Sequence, residues 1–357
     1  MSDTTATVTA EASSQPALMD NDTNLFFHRI AVYFNTFEPT GTISFSYLTE
    51  GAANTIWNVR FSHDSNLSQH DSAVVLRMRK DIPSTIPMLG LKEQFEERIA
   101  PLFFFDPSLL LPVQLIQLGP GVIEDMNQQL HHLENTKHRK AMRTGAYHPS
   151  FEIEPYAMLM PNLIHGLGKV VEFKPKWLVQ SPSAPRDAQR CRTCALNAMR
   201  RAKGVSGRGD SGFCPFDMLS SNEKILSSAL RNVWSENGSL LDFVTAFRVK
   251  VQPALRQLQK LQRQHSDVGL EDFLNPAGKD FSVAMALRDC SIVLKVVKVP
   301  HDDTRLHIPI VKLLDLDLKD AGGGKLAKWA RMEAELIEDG WYTTKADPSI
   351  RCAMAFQ

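Results

Sequence analysis

Three aspartates next to two apolar segments late in the chain could carry acid–base and metal chemistry. Asp289 stands just before SIVLKVV (291–297), and Asp315 and Asp317 share a face at the end of IPIVKLLDLDL (308–318). Both segments have the composition of strands. If these strands pair antiparallel, the start of the first lies beside the end of the second, and the carboxylates meet there. Such a group suits phosphoryl transfer, in which one carboxylate accepts a hydroxyl proton and another holds magnesium. Polar strand ends without a function are the alternative.

A second candidate functional segment is VVEFKPKW, residues 170–177, in which every second residue from Glu172 to Lys176 is charged. In an extended strand Glu172, Lys174 and Lys176 share one face, and the apolar residues between them share the other. Pro175 cannot donate a backbone hydrogen bond, which predicts an edge strand or a strand end. Nine Lys or Arg residues stand against two acids between residues 169 and 204. This local excess favours an anionic ligand, and a solvated basic face is the alternative.

The segment EGAAN, residues 50–54, could cover phosphates. Its small residues would let the backbone approach a bulky ligand closely, as in phosphate-covering hairpins. Arg77 follows on the next predicted strand, where a cation can hold nucleotide phosphates, the role of the β3 lysine in protein kinases. An ordinary hairpin turn is the alternative interpretation.

The cysteines predict a metal site only weakly. Cys191 and Cys194 form a C-x-x-C pair, and Cys214 follows. A zinc site needs a fourth ligand at a suitable spacing, and none is evident, so structural zinc is not favoured. The other residues considered for the fourth ligand are His148, His165 and Cys290.

The strands and helices that must position these residues are predicted from the spacing of apolar residues and from prolines and glycines that end regular structure. Strands cover TISFSYLT and TIWNVRF on either side of EGAAN, and AVVLRMRKD (73–81). A helix is predicted over 92–104, followed by a buried strand in YAMLMPNLI (156–164) that leads into a linker. Further helices are predicted over 191–203, 221–235 and 240–265, the last kinked at Pro253, and a final helix over 325–338 follows three glycines.

Bulk composition indicates a globular protein. The chain has 357 residues, 43% hydrophobic and 22% charged residues and a formal net charge of zero. It contains no apolar run near the roughly 20 residues that a spanning helix needs. Residues 1–25 have the composition of a disordered tail and lack the features of a secretory signal. Five cysteines in a chain of this length argue against a disulfide framework and favour the reducing cytoplasm or nucleus.

Eight segments follow one another along the chain: EGAAN, LRMRK, LMPNL, EFKPK, a Cys-containing basic helix, FCPFDMLS, RDCS and DLDLK. In this order they resemble the inositol-pentakisphosphate 2-kinases. The family signature E-x-K-P-K is satisfied by residues 172–176, and the resemblance extends from about residue 42 to about residue 345. It implies an α+β, protein-kinase-like fold with two lobes. The antiparallel-sheet N-lobe would bind nucleotide and cover 26–160, and a larger mixed C-lobe would cover 161–357 and bind the inositol phosphate.

The resemblance also implies roles for individual residues. Asp289 matches the general base and Lys174 contacts the transferring phosphate, while Asp315, Asp317 and Asp289 match the metal ligands. The implied substrate contacts are Arg143, Lys174, Lys176, Arg200, Asn237, Lys319, Lys325 and Lys328. The implied nucleotide contacts are Glu50, Gly51, Ala52, Ala53, Asn54, Arg77, Met160 and Asn162. The signature itself comprises Glu172, Phe173, Lys174, Pro175 and Lys176.

The implied reaction passes the γ-phosphate of ATP, with magnesium, to the 2-hydroxyl of inositol 1,3,4,5,6-pentakisphosphate. The resemblance predicts a monomer without membrane or stable nucleic acid partners. Two alternatives are a kinase for another small hydroxyl substrate, which would not need so many cations, and a non-catalytic inositol-phosphate or RNA-binding scaffold. Retention of Asp289 and of the two DLD aspartates argues against a scaffold.

Overall fold

A computed structural model describes residues 43–61, 73–83, 85–119, 121–205, 212–235, 239–275, 281–299, 302–319, 324–343 and 352–356. The predicted tail and Asn237 lie outside these residues. The chain divides into two compact units, one ending at Gly166 and the other beginning at Leu167, six residues beyond the expected boundary. Each unit contains one antiparallel sheet and helices, so the fold is mixed α+β. Among the described residues, every helix is too short or too polar to cross a membrane.

The first unit is built on a five-stranded sheet. Its strands are β1 (Ile43–Glu50), β2 (Asn54–Phe61), β3 (Val74–Arg79), β4 (Gln114–Gln117) and β5 (Tyr156–Pro161). Their order is β1-β2-β3-β5-β4, and every neighbouring pair is antiparallel. The three strands predicted from alternation are therefore present, and Ile43 and Phe45 are buried as that pattern requires.

Two helices flank this sheet. The helix α1 (Met88–Gln94) continues through a π-helical segment, Phe95–Ile99, and a 3-10 turn, Ala100–Phe103. The predicted helix over 92–104 thus begins four residues earlier than expected. The helix α2 (Val122–Asn135) was not predicted. Its buried apolar residues recur every three to four positions and pack into the core with Trp57, Leu76 and Leu159.

A buried polar chain crosses the first unit. Trp57 Nε1 donates to Thr55 Oγ1 at 2.8 Å, and Thr55 Oγ1 lies 3.2 Å from His148 Nε2. His148 Nδ1 lies 2.8 Å from the carbonyl oxygen of Arg79, which can only accept, so Nδ1 carries the proton. Burial lowers the pKa of His148 to about 4, and the ring is neutral near pH 7. These bonds assign His148 to core structure rather than to a metal.

The second unit has a three-stranded sheet of β6 (Lys169–Phe173), β7 (Ser291–Val299) and β8 (Asp302–Leu314). The order is β6-β7-β8 and both pairs are antiparallel. β6 is an edge strand, as Pro175 predicts. In the β7–β8 hairpin, Ser291 pairs with Leu314, so the start of β7 lies beside the end of β8.

Helices are the commonest regular elements among the described residues of the second unit. They are α3 (Arg192–Ala202), α4 (Glu223–Leu230), α5 (Leu240–Lys250), α6 (Gln252–Gln264), α7 (Leu270–Leu274), α8 (Phe281–Asp289) and α9 (Lys325–Glu338). The helix predicted over 240–265 is two helices, because Pro253 lies in the first turn of α6 and cannot continue the bonding of α5. α7 and α8 were not predicted, whereas the last helix has the predicted bounds.

Candidate active site

Two aspartates meet at one end of the second sheet. Asp289 is the last residue of α8, two residues before Ser291, and Asp315 directly follows Leu314. Because Ser291 and Leu314 are paired, both aspartates lie at the same sheet end. The predicted meeting of Asp289 with Asp315 is confirmed.

Three lysines hold these carboxylates together. Lys174 Nζ donates to Asp315 Oδ2 at 2.6 Å and to the carbonyl oxygen of Asp289 at 2.6 Å, and lies 3.7 Å from Asp289 Oδ2. Lys176 Nζ donates to Asp289 Oδ1 at 2.7 Å. Lys319 Nζ lies 3.3 Å from Asp315 Oδ1. We call Asp289, Asp315, Lys174, Lys176 and Lys319 the carboxylate–lysine cluster.

The backbone reaches this geometry through two left-handed residues. Lys176 has a φ of 60° and Asp315 a φ of 61°, a region that residues other than glycine seldom adopt. β6 ends at Phe173 and β8 at Leu314, so strand alternation does not extend to the functional residues. The predictions that Lys174 and Lys176 project from one strand face, and that Asp315 and Asp317 share one, are wrong for this reason. Conformations of this kind cost about 1–3 kcal/mol and cluster at functional sites.

The charges of the cluster are open to solvent and unbalanced. Three lysines face two aspartates, and the exposed side-chain fractions run from 19% for Lys319 to 47% for Asp289. Burial alone would raise the pKa of Asp315, but the charges of Lys319 and Lys174 outweigh it and the pKa is lowered. Burial likewise opposes the charge of Lys174, yet its two aspartate partners raise its pKa. Both groups are therefore ionised near neutral pH, and the net positive cluster can receive an anion.

The tryptophan that follows the lysines anchors the loop. Trp177 is 3% exposed, and its ring lies 4.5 Å from the guanidinium carbon of Arg192 and 4.1 Å from that of Arg288. Arg288 also donates to two backbone carbonyl oxygens in the α6–α7 connection, at 2.9 and 2.8 Å. Because Trp177 adjoins Lys176 and Arg288 adjoins Asp289, this stack fixes two members of the cluster.

Gln262 makes a second tie between the same two segments. It is fully buried on α6, and its Nε2 donates to the carbonyl oxygens of Lys176 and Leu287, both at 2.9 Å. Its Oε1 accepts from the backbone N–H of Leu178 at 2.7 Å. Sequence reasoning missed this residue. The available signal was a glutamine four positions after Leu258, on the apolar face of an amphipathic helix.

The remaining predicted substrate contacts are distributed as follows. Arg200 lies in the last turn of α3. Lys325 and Lys328 occupy the first turn of α9, which contains no acidic residue. Asp317, which was predicted as a metal ligand and not as a substrate contact, is half-buried, two residues after Asp315. Arg143 ends a 3-10 turn in the first unit, and its buried Nε has no hydrogen-bond partner among the described residues.

Buried charged side chains stabilise the EGAAN hairpin in the first unit. The N–H of Gly51 donates to Asn54 O at 2.9 Å, and the buried Lys80 Nζ donates to Gly51 O at 2.9 Å. Lys80 also pairs with Glu50, which accepts two further bonds from Arg139 at 2.9 and 3.0 Å. Burial would raise the pKa of Glu50, but these cations lower it. Glu50 thus has a supporting role in the hairpin, and sequence reasoning missed Lys80.

The other predicted nucleotide residues lie near this hairpin in the first sheet. Arg77 pairs with Met158 and Val75 with Met160, so all four side chains share the sheet face opposite to Leu76. Ala52 is exposed and Ala53 half-buried in the hairpin loop. Asn54 has a buried Oδ1 without a hydrogen-bond partner among the described residues. The N–H of Asn162 donates to Ala73 O at 2.8 Å, which ties the linker to β3.

The carboxylate–lysine cluster fits a magnesium ion. Carboxylates of Asp289 and Asp315 already approach one cationic atom, Lys174 Nζ, and carboxylate oxygens are the ligands that magnesium prefers. The structure also supplies the fourth cysteine that was not evident in the sequence. Cys352 joins Cys191, Cys194 and Cys214, with all four sulfur atoms within 4.8 Å of one another.

Comparison with known proteins is consistent with this geometry. A sequence model of the family described as inositol-pentakisphosphate 2-kinase matches residues 47–335, which include the whole cluster. An inositol-pentakisphosphate 2-kinase of Yarrowia lipolytica is 26% identical over 311 residues, covering 85% of this chain and 94% of that protein. The family match extends over far more than half of the chain. The chain therefore belongs to the inositol-pentakisphosphate 2-kinase family.

Proposed function

We propose that the chain transfers the γ-phosphate of ATP to the 2-hydroxyl of inositol 1,3,4,5,6-pentakisphosphate and so forms inositol hexakisphosphate. The observation that carries the proposal is the carboxylate–lysine cluster, in which Lys174 contacts both Asp289 and Asp315. Acid–base groups, a cation-binding carboxylate and cations for an anionic substrate are all needed for phosphoryl transfer, and the cluster supplies each of them.

Asp289 is the general base. Its carboxylate accepts the proton of the 2-hydroxyl while the hydroxyl oxygen bonds to the γ-phosphorus. The bond between that phosphorus and the β,γ-bridging oxygen breaks, and ADP leaves with its electron pair. Lys176 and Lys174 hold Asp289 in place before the reaction, through its carboxylate and its carbonyl oxygen. Lys174 then offers a positive charge to the phosphate in transfer.

The substrate carries five phosphates, which explains why so many cations are needed. Lys174, Lys176 and Lys319 already share one site, and charge-assisted bonds from fixed cations give both affinity and orientation. Lys325 and Lys328 support the same assignment, because they lie at the positive end of the α9 dipole, where cations are unfavourable without an anion. Arg200 and Arg143 are proposed as further contacts, as is Asn237, which lies outside the described residues.

Magnesium would be held by Asp315, with Asp317 and Asp289 as further ligands, and would neutralise charge on the transferring phosphate. The lowered pKa of Asp315 keeps it ionised for this role. ATP would bind on the first unit, with the EGAAN backbone over its phosphates and Arg77, Met160 and Asn162 as further contacts.

We extend the proposal to the architecture and the setting of the protein. A first unit with a five-stranded antiparallel sheet and a second unit with more helices than strands among its described residues support a protein-kinase-like, two-lobed fold. None of the five cysteines is in a disulfide, which supports a reducing compartment, the nucleus or cytoplasm. The protein is proposed to act as a monomer on a small-molecule substrate.

The test is a reaction of the purified chain with ATP, magnesium and a panel of inositol phosphates, with the products separated by chromatography. The expected result is conversion of inositol pentakisphosphate to the hexakisphosphate, with turnover nearly abolished in Asp289→Asn. Substrate binding without turnover in the parent protein would identify a scaffold. Preference for a substrate with few phosphates would identify another kinase.

A further inference from the structure

A buried carboxylate on α9 joins separate segments of the second unit. Glu333 is fully buried, and its Oε1 accepts hydrogen bonds from Ser181 Oγ at 2.6 Å and from the Tyr342 hydroxyl at 2.7 Å. Its Oε2 accepts from Nε of the buried Arg192 at 2.8 Å. We call these four residues the Glu333 network. A buried ion pair often adds no more stability than apolar side chains of similar size would, which favours a role in selecting one arrangement of the segments.

The position of Arg192 is unfavourable for a cation that lacks an anionic partner. Arg192 is the first residue of α3, and a helix dipole disfavours positive charge in the first turn. Its guanidinium carbon lies 4.5 Å from the centre of the Trp177 ring, and that of Arg288 lies 4.1 Å from the same ring. Burial, and then the charge of Arg192, lower the pKa of Arg288, whereas the charge of Glu333 raises it. Glu333 therefore supplies negative charge that lets two guanidiniums share one indole ring.

The segments that this network joins carry residues of the proposed site. α9 also packs directly against Trp177, through Ala330. Glu333 lies eight residues after the start of α9, about 12 Å along the helix. The residues of the proposed site on these segments are Lys176 before Trp177, Asp289 after Arg288, Arg200 in the last turn of α3, and Lys325 and Lys328 in the first turn of α9. The network thus connects the lysines of the signature segment with the cations on two helices.

We propose that Glu333 is a positioning residue for binding of the inositol phosphate. Its charge holds Arg192 over Trp177, and Trp177 in turn holds Lys176 at a fixed distance from the cations of α3 and α9. A substrate with several phosphates binds tightly when the cations that receive it are already in place. The inference rests on the proposed function. It deepens that function by naming a buried residue that sets the spacing of the substrate cations.

The first test compares the full-length parent protein with Glu333→Gln. Glutamine has nearly the same shape and can still accept hydrogen bonds from Ser181 and Tyr342, but it has no charge for Arg192. Calorimetry in the absence of ATP should find the Kd for inositol pentakisphosphate raised about 10-fold, the effect of weakening one charge-assisted contact. The KM for ATP should stay at the parental value, because the nucleotide is assigned to the first unit.

Tyr342→Phe is the matched control. It removes one hydrogen bond to Oε1 of Glu333 and leaves the pair between Oε2 and Arg192 intact. This variant should unfold at a lower temperature than the parent and bind inositol pentakisphosphate with the parental Kd. A rise in Kd as large as that of Glu333→Gln would attribute the weaker binding to lost stability rather than to lost charge, and would overturn the inference.

The double variant Arg192→Met/Glu333→Gln separates positioning from stability. It removes both charges of the ion pair, leaves neither member buried without the other, and should therefore unfold at a higher temperature than Glu333→Gln. The contact of Arg192 with Trp177 is lost as well, so the Kd for inositol pentakisphosphate should stay raised. If Glu333→Gln does not fold, the double variant provides the test by itself.

A parental Kd in Glu333→Gln or in the double variant would overturn the inference. A Kd that recovers in the double variant together with the unfolding temperature would assign Glu333 to stability alone. A parent protein that neither binds inositol pentakisphosphate nor forms the hexakisphosphate would refute the proposed function, and this inference with it. Because the parent is measured first, failure of the proposed function and failure of the inference alone are distinguished.

Discussion

Replacing Gln262 with leucine should damage both stability and turnover. The substitution removes three hydrogen bonds, to Lys176 O, Leu287 O and the N–H of Leu178, and leaves all three backbone groups buried. At about 0.5–1.5 kcal/mol for each bond, the free energy of unfolding should fall by about 2–4 kcal/mol. Because Lys176 and Asp289 lose their common support, kcat should fall by roughly 10- to 100-fold, the usual effect of a small misplacement.

Urea unfolding followed by tryptophan fluorescence would measure the loss of stability, and steady-state kinetics with ATP and inositol pentakisphosphate would measure the loss of turnover at a temperature where the variant is folded. Gln259→Leu is the matched control. Gln259 lies one turn earlier on α6 and, among the described residues, donates one hydrogen bond, to Leu178 O. Its replacement should therefore cost about 1 kcal/mol and leave kcat unchanged. If Gln262→Leu unfolds more easily but keeps the parental kcat, Gln262 has only a structural role and our reasoning about positioning is refuted.

Three further predictions concern charge. Asp289→Asn should lose turnover at every magnesium concentration, whereas Asp315→Asn should recover partly as magnesium is raised; an equal response would contradict the assigned roles. Lys176→Met should weaken inositol pentakisphosphate binding by roughly 1–3 kcal/mol in calorimetry and leave the KM for ATP unchanged, and near-normal affinity would remove Lys176 from the substrate site. Because the folded pKa of His148, about 4, lies below its usual 6.5, the unfolded chain gains the proton first as pH falls. Stability should therefore decrease by about 3 kcal/mol between pH 7 and pH 4. Urea titrations should find this decrease reduced by that amount in His148→Gln, and an equal decrease in both proteins would contradict it.

The sequence predicted what depends on local pattern. Alternation of Ile43, Phe45 and Tyr47 with serines identified β1, and two apolar segments gave the hairpin that unites Asp289 with Asp315. The predictions from strand alternation failed beyond the ends of β6 and β8, because a residue in the left-handed conformation changes the direction of the chain there. Lys176 reaches Asp289 through such a turn, and residue type alone did not reveal it.

Long-range contacts account for most of what was missed. Cys352 stands 138 residues after Cys214, and no spacing rule predicts contact between cysteines so far apart. Lys80 and Gln262 are polar residues whose importance depends on the backbone groups that tertiary folding brings beside them. The helix α2 is different, because its apolar residues at helical spacing were visible in the sequence and were overlooked.

The stack on Trp177 also limits which basic residue can precede Asp289. Burial, together with the charge of Arg192, lowers the pKa of Arg288 from 12.5 to about 10, so the guanidinium stays protonated near neutral pH. A lysine at this position has a lower ordinary pKa, and the same burial and the same charge of Arg192 would lower it further. A lysine also lacks the planar guanidinium with which Arg288 donates to two backbone carbonyl oxygens while it stacks on Trp177. The site therefore favours arginine, and Arg288→Lys, which keeps the formal charge, should loosen the hold on Trp177.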